Sequence, residues 1–119
     1  MDDLYKESIS KISYYCQSAY TSINLFDNLV KSRKYLLLDN VLIKTIDDIS
    51  NCIKFYLKTD MNVDSVDRMN CKLQLILEGY ENKDYFYIND VLQYEVIKEI
   101  EYVFHEIQVI IENKLNHTL

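Results

Sequence analysis

His105 and Glu101 are spaced i, i+4, which puts both side chains on one face of a helix and allows an imidazole–carboxylate pair. An exposed histidine held this way could accept a phosphoryl group, as helical phosphotransfer domains do, or help to hold a small regulatory ligand. The residues that follow, Glu106, Ile107 and Gln108, lack the lysine and glycine such domains place there. Their acidic surroundings also oppose an incoming phosphoryl group. A di-iron bundle needs Glu-x-x-His on two helices together with further inward glutamates, and the chain contains no Glu-x-x-His. Neither Arg33 nor Arg68 is followed by the histidine that helical defence nucleases use, and with one glycine in the chain there is no phosphate-binding loop. Cys16, Cys52 and Cys71 are odd in number and far apart, which reads as reduced thiols buried as small hydrophobes. The residues therefore point to no catalytic group, no metal and no cofactor, and to a protein that is not an enzyme.

The elements that would position these side chains follow from the apolar spacing. Ile88, Leu92, Val96, Ile100, Val103, Ile107 and Ile110 recur at steps of three and four, predicting one long amphipathic helix from Tyr85 to Leu115. Tyr85, Phe86, Ile97, Phe104 and Ile111 widen its apolar stripe enough to touch two neighbours. A first helix, capped by Asp2 or Asp3, runs to about residue 31 and buries Leu4, Ile9, Ile12, Cys16, Ala19, Ile23, Phe26 and Val30. A second helix, starting at Tyr35 or at Asp39 and ending near Thr59, buries Leu38, Leu42, Ile46, Ile49, Ile53 and Leu57. A third is capped by Asp64, buries Val66, Met69, Leu73, Ile76, Leu77 and Tyr80, and has Gly79 near its end, where it weakens the last turn and suits a termination. The short connection Asn82-Lys83-Asp84 makes the third and fourth helices antiparallel neighbours, and residues 116–119 should fray. The expected fold is all-α, an antiparallel four-helix bundle with a long C-terminal helix, in one domain spanning 1–119.

Composition agrees with that fold. The 119 residues are 49% hydrophobic and include no proline and a single glycine, so helices with short connections are favoured over strands and turns. The net charge of −6 is concentrated between Asp84 and Glu112, where Lys98 stands alone among acids. Such a surface repels phosphate backbones and anionic lipid, which argues against nucleic acid and membrane as partners. No charged and then apolar segment opens the chain, and no apolar run approaches the roughly 18 residues of a membrane span. The reading is a cytoplasmic protein.

Eleven tyrosines are the unusual feature. Tyrosine brings large contact area at low rotamer entropy and suits interfaces. On the outward arc of the last helix, Tyr87, Asp90, Tyr94, Glu101 and His105 combine aromatic anchors with an acidic rim. These five are the candidate site for another protein, such as an amphipathic or basic helix, in the manner of a chaperone-like interaction module. Tyr102 on the same helix, and Tyr14 and Leu25 on the first, could extend that surface. Self-association stays open.

The segment Leu73-Gln-Leu-Ile-Leu-Glu-Gly-Tyr-Glu-Asn-Lys-Asp-Tyr85, continuing through Ile88, Asp90, Leu92, Tyr94 and Glu95, resembles a family of small all-helical proteins of Gram-positive bacteria that share the pattern Asp-[Tyr/Phe]-x-x-Ile-x-Asp-x-Leu-x-Tyr-Glu after an Asn-containing turn. Many members carry a proline just beyond the Tyr-Glu pair, where this chain has Lys98. The resemblance implies a helical fold and a bacterial cytoplasm and brings no established activity.

Overall fold

The computed structural model describes the backbone of residues 3–59, 61 and 63–118, and side chains as far as residue 114. Among these residues the chain forms four helices and no strand. The first, α1, covers Asp3–Lys31. A single 3₁₀ turn at Tyr35–Leu37 leads into α2, Leu38–Tyr56. The third, α3, covers Asp64–Glu81. The last, α4, is continuous but not uniform: Tyr85–Val91 is α-helical, Leu92–Val96 is a π turn, and Ile97–Thr118 is α-helical again. The buried side chains of all four helices join in one hydrophobic cluster centred on Phe26, Leu38, Ile49, Ile76, Ile88 and Leu92. At 1.5 Å per residue α1 alone spans about 44 Å, which accounts for most of the 51 Å long dimension of the molecule.

The π turn is explained by the spacing of the stripe. Ile88, Leu92, Val96 and Ile100 are separated by steps of four, and each such step drifts about 40° around an ideal α-helix. Three of them in succession would carry Ile100 far off the buried line. One extra residue in the ladder, with the Ile97 N–H donating to the Leu92 carbonyl five residues back, removes about 100° of that drift. Ile88, Leu92, Val96, Ile100, Val103 and Ile107 are consequently all buried.

The ends of α1 and α3 use one device. Arg33 and Lys83 adopt positive φ, 58° and 53°, immediately beyond each helix. The N–H groups of Lys34 and Arg33 then reach the Leu29 and Val30 carbonyls, while those of Asp84 and Lys83 reach Gly79 and Tyr80. Both are Schellman motifs with a basic residue where glycine is usual. Gly79 does not terminate α3, which runs on to Glu81. Its role is close packing: a Cβ there would lie 2.8 Å from Ile88 Cγ1 and 2.9 Å from Tyr87 Cδ1. Because Ile88 is fully buried and cannot swing aside, Gly79→Ala should lower stability by about 1 kcal/mol, overpacking outweighing the gain in helix propensity. A chemical-denaturation midpoint at or above that of the unsubstituted protein would contradict this placement.

Other expectations are corrected by the packing. Leu4, Leu57 and Leu77 are 61%, 56% and 47% exposed, and Tyr80, Phe86 and Ile111 are exposed as well, because the neighbouring helices cover a narrower arc than the apolar spacing suggests. Cys71 is exposed on α3, whereas Cys16 and Cys52 are buried. The second helix stops at Tyr56 rather than Thr59, whose hydroxyl donates to the Tyr56 carbonyl at 2.6 Å and turns the chain. Asp64 is the first helical residue rather than the cap of α3, while Asp84 does cap α4 by accepting from the Tyr87 N–H at 3.0 Å. The backbone of α4 continues helically to Thr118, past the predicted end at Leu115. The alternative cap Asp2, and Leu119, lie outside the described residues.

Candidate protein-interaction surface

Rephasing by the π turn acts on the outward face of α4 as it does on the buried one. Phe86, Asp90, Tyr94 and Lys98, also separated by steps of four, fall on one exposed strip that continues towards His105. Tyr94 and Phe86 are the most exposed aromatic residues on the helix, at 68% and 63%. Asp90, Glu101 and His105 are exposed on the same side. Tyr87 departs from that line, since it lies against Gly79 and thus faces α3. Of the five predicted residues the structure therefore groups Asp90, Tyr94 and His105 along the strip, puts Glu101 at its edge and turns Tyr87 aside. Phe86 belongs to the strip although its sequence position read as core. The run of fours, which also signals the π turn, was the available clue.

Glu101 borders a second feature. Between α1 and α4 runs a groove of about 510 Å³ lined by Cys16, Gln17, Tyr20, Thr21, Ile100, Glu101 and Phe104. Its floor is apolar and its α4 rim is acidic. A shallower groove of about 370 Å³ lies on the other side of the same α1 ridge, against α2, and includes Tyr14, Thr21, Leu25 and Lys44. Gln17 and Thr21 line both grooves and so form the ridge between them, while Tyr14 and Leu25, 63% and 47% exposed, line the second alone. His105 lines neither groove.

Polar pairs hold α4 in place beside these surfaces. On the α1 side, the Asn89 amide donates to Asp27 at 2.9 Å and the Gln93 amide donates to the Ile23 carbonyl at 3.1 Å. Asp27 also pairs with Lys31 at 2.9 Å. The Asn89 donor, then Lys31, holds the Asp27 carboxyl below the ordinary carboxylate range against the opposing effect of burial. A lowered folded-state value means that this pairing stabilises the protein above the unfolded carboxylate range and stops doing so as pH falls through the folded value. On the α3 side, Lys72 pairs with Glu95 at 3.1 Å and Arg68 with Glu99 at 2.8 Å, the Arg68 guanidinium lying over the Tyr102 ring at 5.2 Å. Tyr56 of α2 donates to Glu106 at 3.0 Å, and burial together with that carboxylate pushes its phenol up to about 12. Tyr85 donates to Asp39 at 2.7 Å, and this hydrogen bond to a carboxylate pushes its phenol up to about 12. The border glutamates of α4 are thus engaged with α2 and α3, which leaves Asp90, Glu101 and Glu112 as the acids of its outward side.

Among the described residues no three His, Cys, Asp or Glu side chains are grouped as metal ligands. Among the same residues no helix is long and apolar enough to cross a membrane. Comparison with protein-family models finds no match, and searches of curated proteins and of solved structures find none either.

Proposed function

We propose that the protein is a non-catalytic interaction module that engages another protein through the outward face of α4. The observation that carries this reading is the strip Phe86, Asp90, Tyr94 and Lys98, in which two large aromatic side chains stand mostly in solvent between charged neighbours. Aromatic anchors with a polar rim are the composition of binding hot spots. The acidic balance of α4 favours a basic or amphipathic helix as the partner. The same balance disfavours nucleic acid and anionic membrane.

With this reading go one domain over residues 1–119 and an antiparallel bundle, set in the cytoplasm of a bacterium. The antiparallel order is supported by contacts that run in opposite chain directions. Tyr15 stacks on Phe55 while Ser18 bonds Asp48; the Ile23 carbonyl meets Gln93 while Asp27 meets Asn89; Arg68 meets Glu99 while Lys72 meets Glu95.

Replacing Tyr94 and Glu101 together by Ala tests the site. The circular dichroism spectrum should be unchanged, since both side chains are exposed, while affinity for the partner recovered by the unsubstituted protein should fall by about 30-fold, the loss of one aromatic hot spot. Gln74→Ala on the exposed side of α3 should leave binding intact. Equal binding by all three proteins would remove the α4 face as the site.

A further inference from the structure

Cys16 on α1 and Cys52 on α2 face each other with their Sγ atoms 3.6 Å apart. Both are almost wholly buried, at 1% and 2% exposure. On their own helices they are flanked by Ile12, Ala19, Ile49 and Tyr56, all buried, so the thiols are held against each other rather than meeting by chance in a mobile segment. Cys16 also lines the groove of about 510 Å³ between α1 and α4, the side from which a small neutral oxidant would approach the pair. Cys71 is exposed on a different helix, α3.

We propose that Cys16 and Cys52 are an oxidisable dithiol that a hydroperoxide converts into an intramolecular disulfide stapling α1 to α2. In the first step the Cys16 sulfur, as its proton leaves to water, attacks the terminal oxygen of the hydroperoxide. The O–O bond breaks, the departing oxygen takes up a proton to leave as alcohol or water, and Cys16 becomes a sulfenic acid. In the second step the Cys52 sulfur attacks the Cys16 sulfur, the S–O bond breaks, and the hydroxyl leaves as water with the Cys52 proton. Two thiols and one hydroperoxide thus yield one disulfide, one alcohol (or water) and one water. Closing the contact to a bond of about 2 Å needs the sulfurs to approach by roughly 1.5 Å, within reach of a rotamer adjustment and a small helix shift.

Sharing of a thiol proton between the two cysteines, reinforced by burial, pushes the Cys16 thiol up. Its thiolate is scarce, so the pair reacts slowly and responds to sustained rather than trace oxidant. Once formed, the bond closes a long loop of the unfolded chain, the two cysteines being 36 positions apart, and should raise the melting temperature by about 10 °C.

The experiment uses the full chain with Cys71→Ser, so that only the two facing thiols remain. After hours in excess hydrogen peroxide the protein is denatured, treated with N-ethylmaleimide and weighed by mass spectrometry. The expected result is loss of two hydrogens without maleimide adducts, a linked peptide pair containing Cys16 and Cys52, the higher melting temperature, and reversal of all three by dithiothreitol. The unsubstituted protein should give the same linked pair, and Cys52→Ser combined with Cys71→Ser should give neither the mass loss nor the melting shift. Two maleimide adducts after oxidation, sulfinic or sulfonic acid at Cys16, or linkage only between molecules would overturn the proposal.

Discussion

Leu92→Asp is expected to abolish the cooperative melting transition. Leu92 is fully buried at the start of the π turn, in the same cluster as Ile88, Val96 and Phe26. The α3 cations Lys72 and Arg68 are already engaged with Glu95 and Glu99 at the margin of the core, so a carboxylate at position 92 would have to draw one of them away. Burying an uncompensated charge, or neutralising it first, costs several kcal/mol on top of the lost leucine packing. The total stability of a domain this size is about 5 to 15 kcal/mol, so the substitution consumes most or all of it. Leu92→Met, which keeps volume and polarity, should cost less than about 1.5 kcal/mol. Thermal unfolding followed by circular dichroism separates the two, and a sharp transition in the Asp variant near the original temperature would show that the buried line of α4 is misplaced.

A pair of single-residue deletions should differ just as widely. Removing Tyr94, an exposed residue inside the π turn, changes the steps of the buried stripe from 4-4-4-3-4 to 4-3-4-3-4, counted from Ile88 to Ile107. That is the spacing of a regular α-helix, so the shortened chain can close the π turn and keep the same residues inside. Folding should survive with a loss of no more than about 2 kcal/mol. Removing Asp47, also exposed but within the regular part of α2, rotates Asp48, Ile49, Cys52 and Tyr56 by about 100° relative to Leu38, Leu42 and Thr45. Half of that buried face would then point to solvent, and the variant should be unfolded or molten. If both deletions behave alike, the π turn is not an inserted residue in an otherwise regular stripe.

The four helices and most of their buried residues were legible because each helix is long enough for its apolar period to repeat several times. Ile12, Ile23, Leu42, Ile49, Val66, Ile76, Leu92 and Val103 could be assigned inside without knowing what covers them. The cap of the last helix was legible as Asn82 or Asp84, since capping rests on local hydrogen bonding, and the structure shows Asp84 in that place. Spacing alone did not settle how wide an arc the neighbours cover, and so Leu4, Leu57, Leu77, Phe86 and Cys71 read as core but are exposed. Gly79 shows the same limit: glycine near a helix end reads as a stop signal, and only the approach of Tyr87 and Ile88 reveals a packing seat.

The candidate surface divides in the same way. That Asp90, Tyr94, Glu101 and His105 face outward follows from helical periodicity and the acidic balance of the last helix, both properties of the chain. Which of them share a line was decided by the π turn, whose extra ladder residue sets the phase of Phe86 and Asp90, on the α-helical segment before it, against Lys98, Glu101 and His105 after it, while Tyr87 lies against Gly79 of α3. The facing of Cys16 and Cys52, the engagement of Glu95, Glu99 and Glu106 with other helices, and the grooves flanking α1 depend on relative positions of different helices. Periodicity within one helix carries no information about its register against the next, so those features exist only in the tertiary structure.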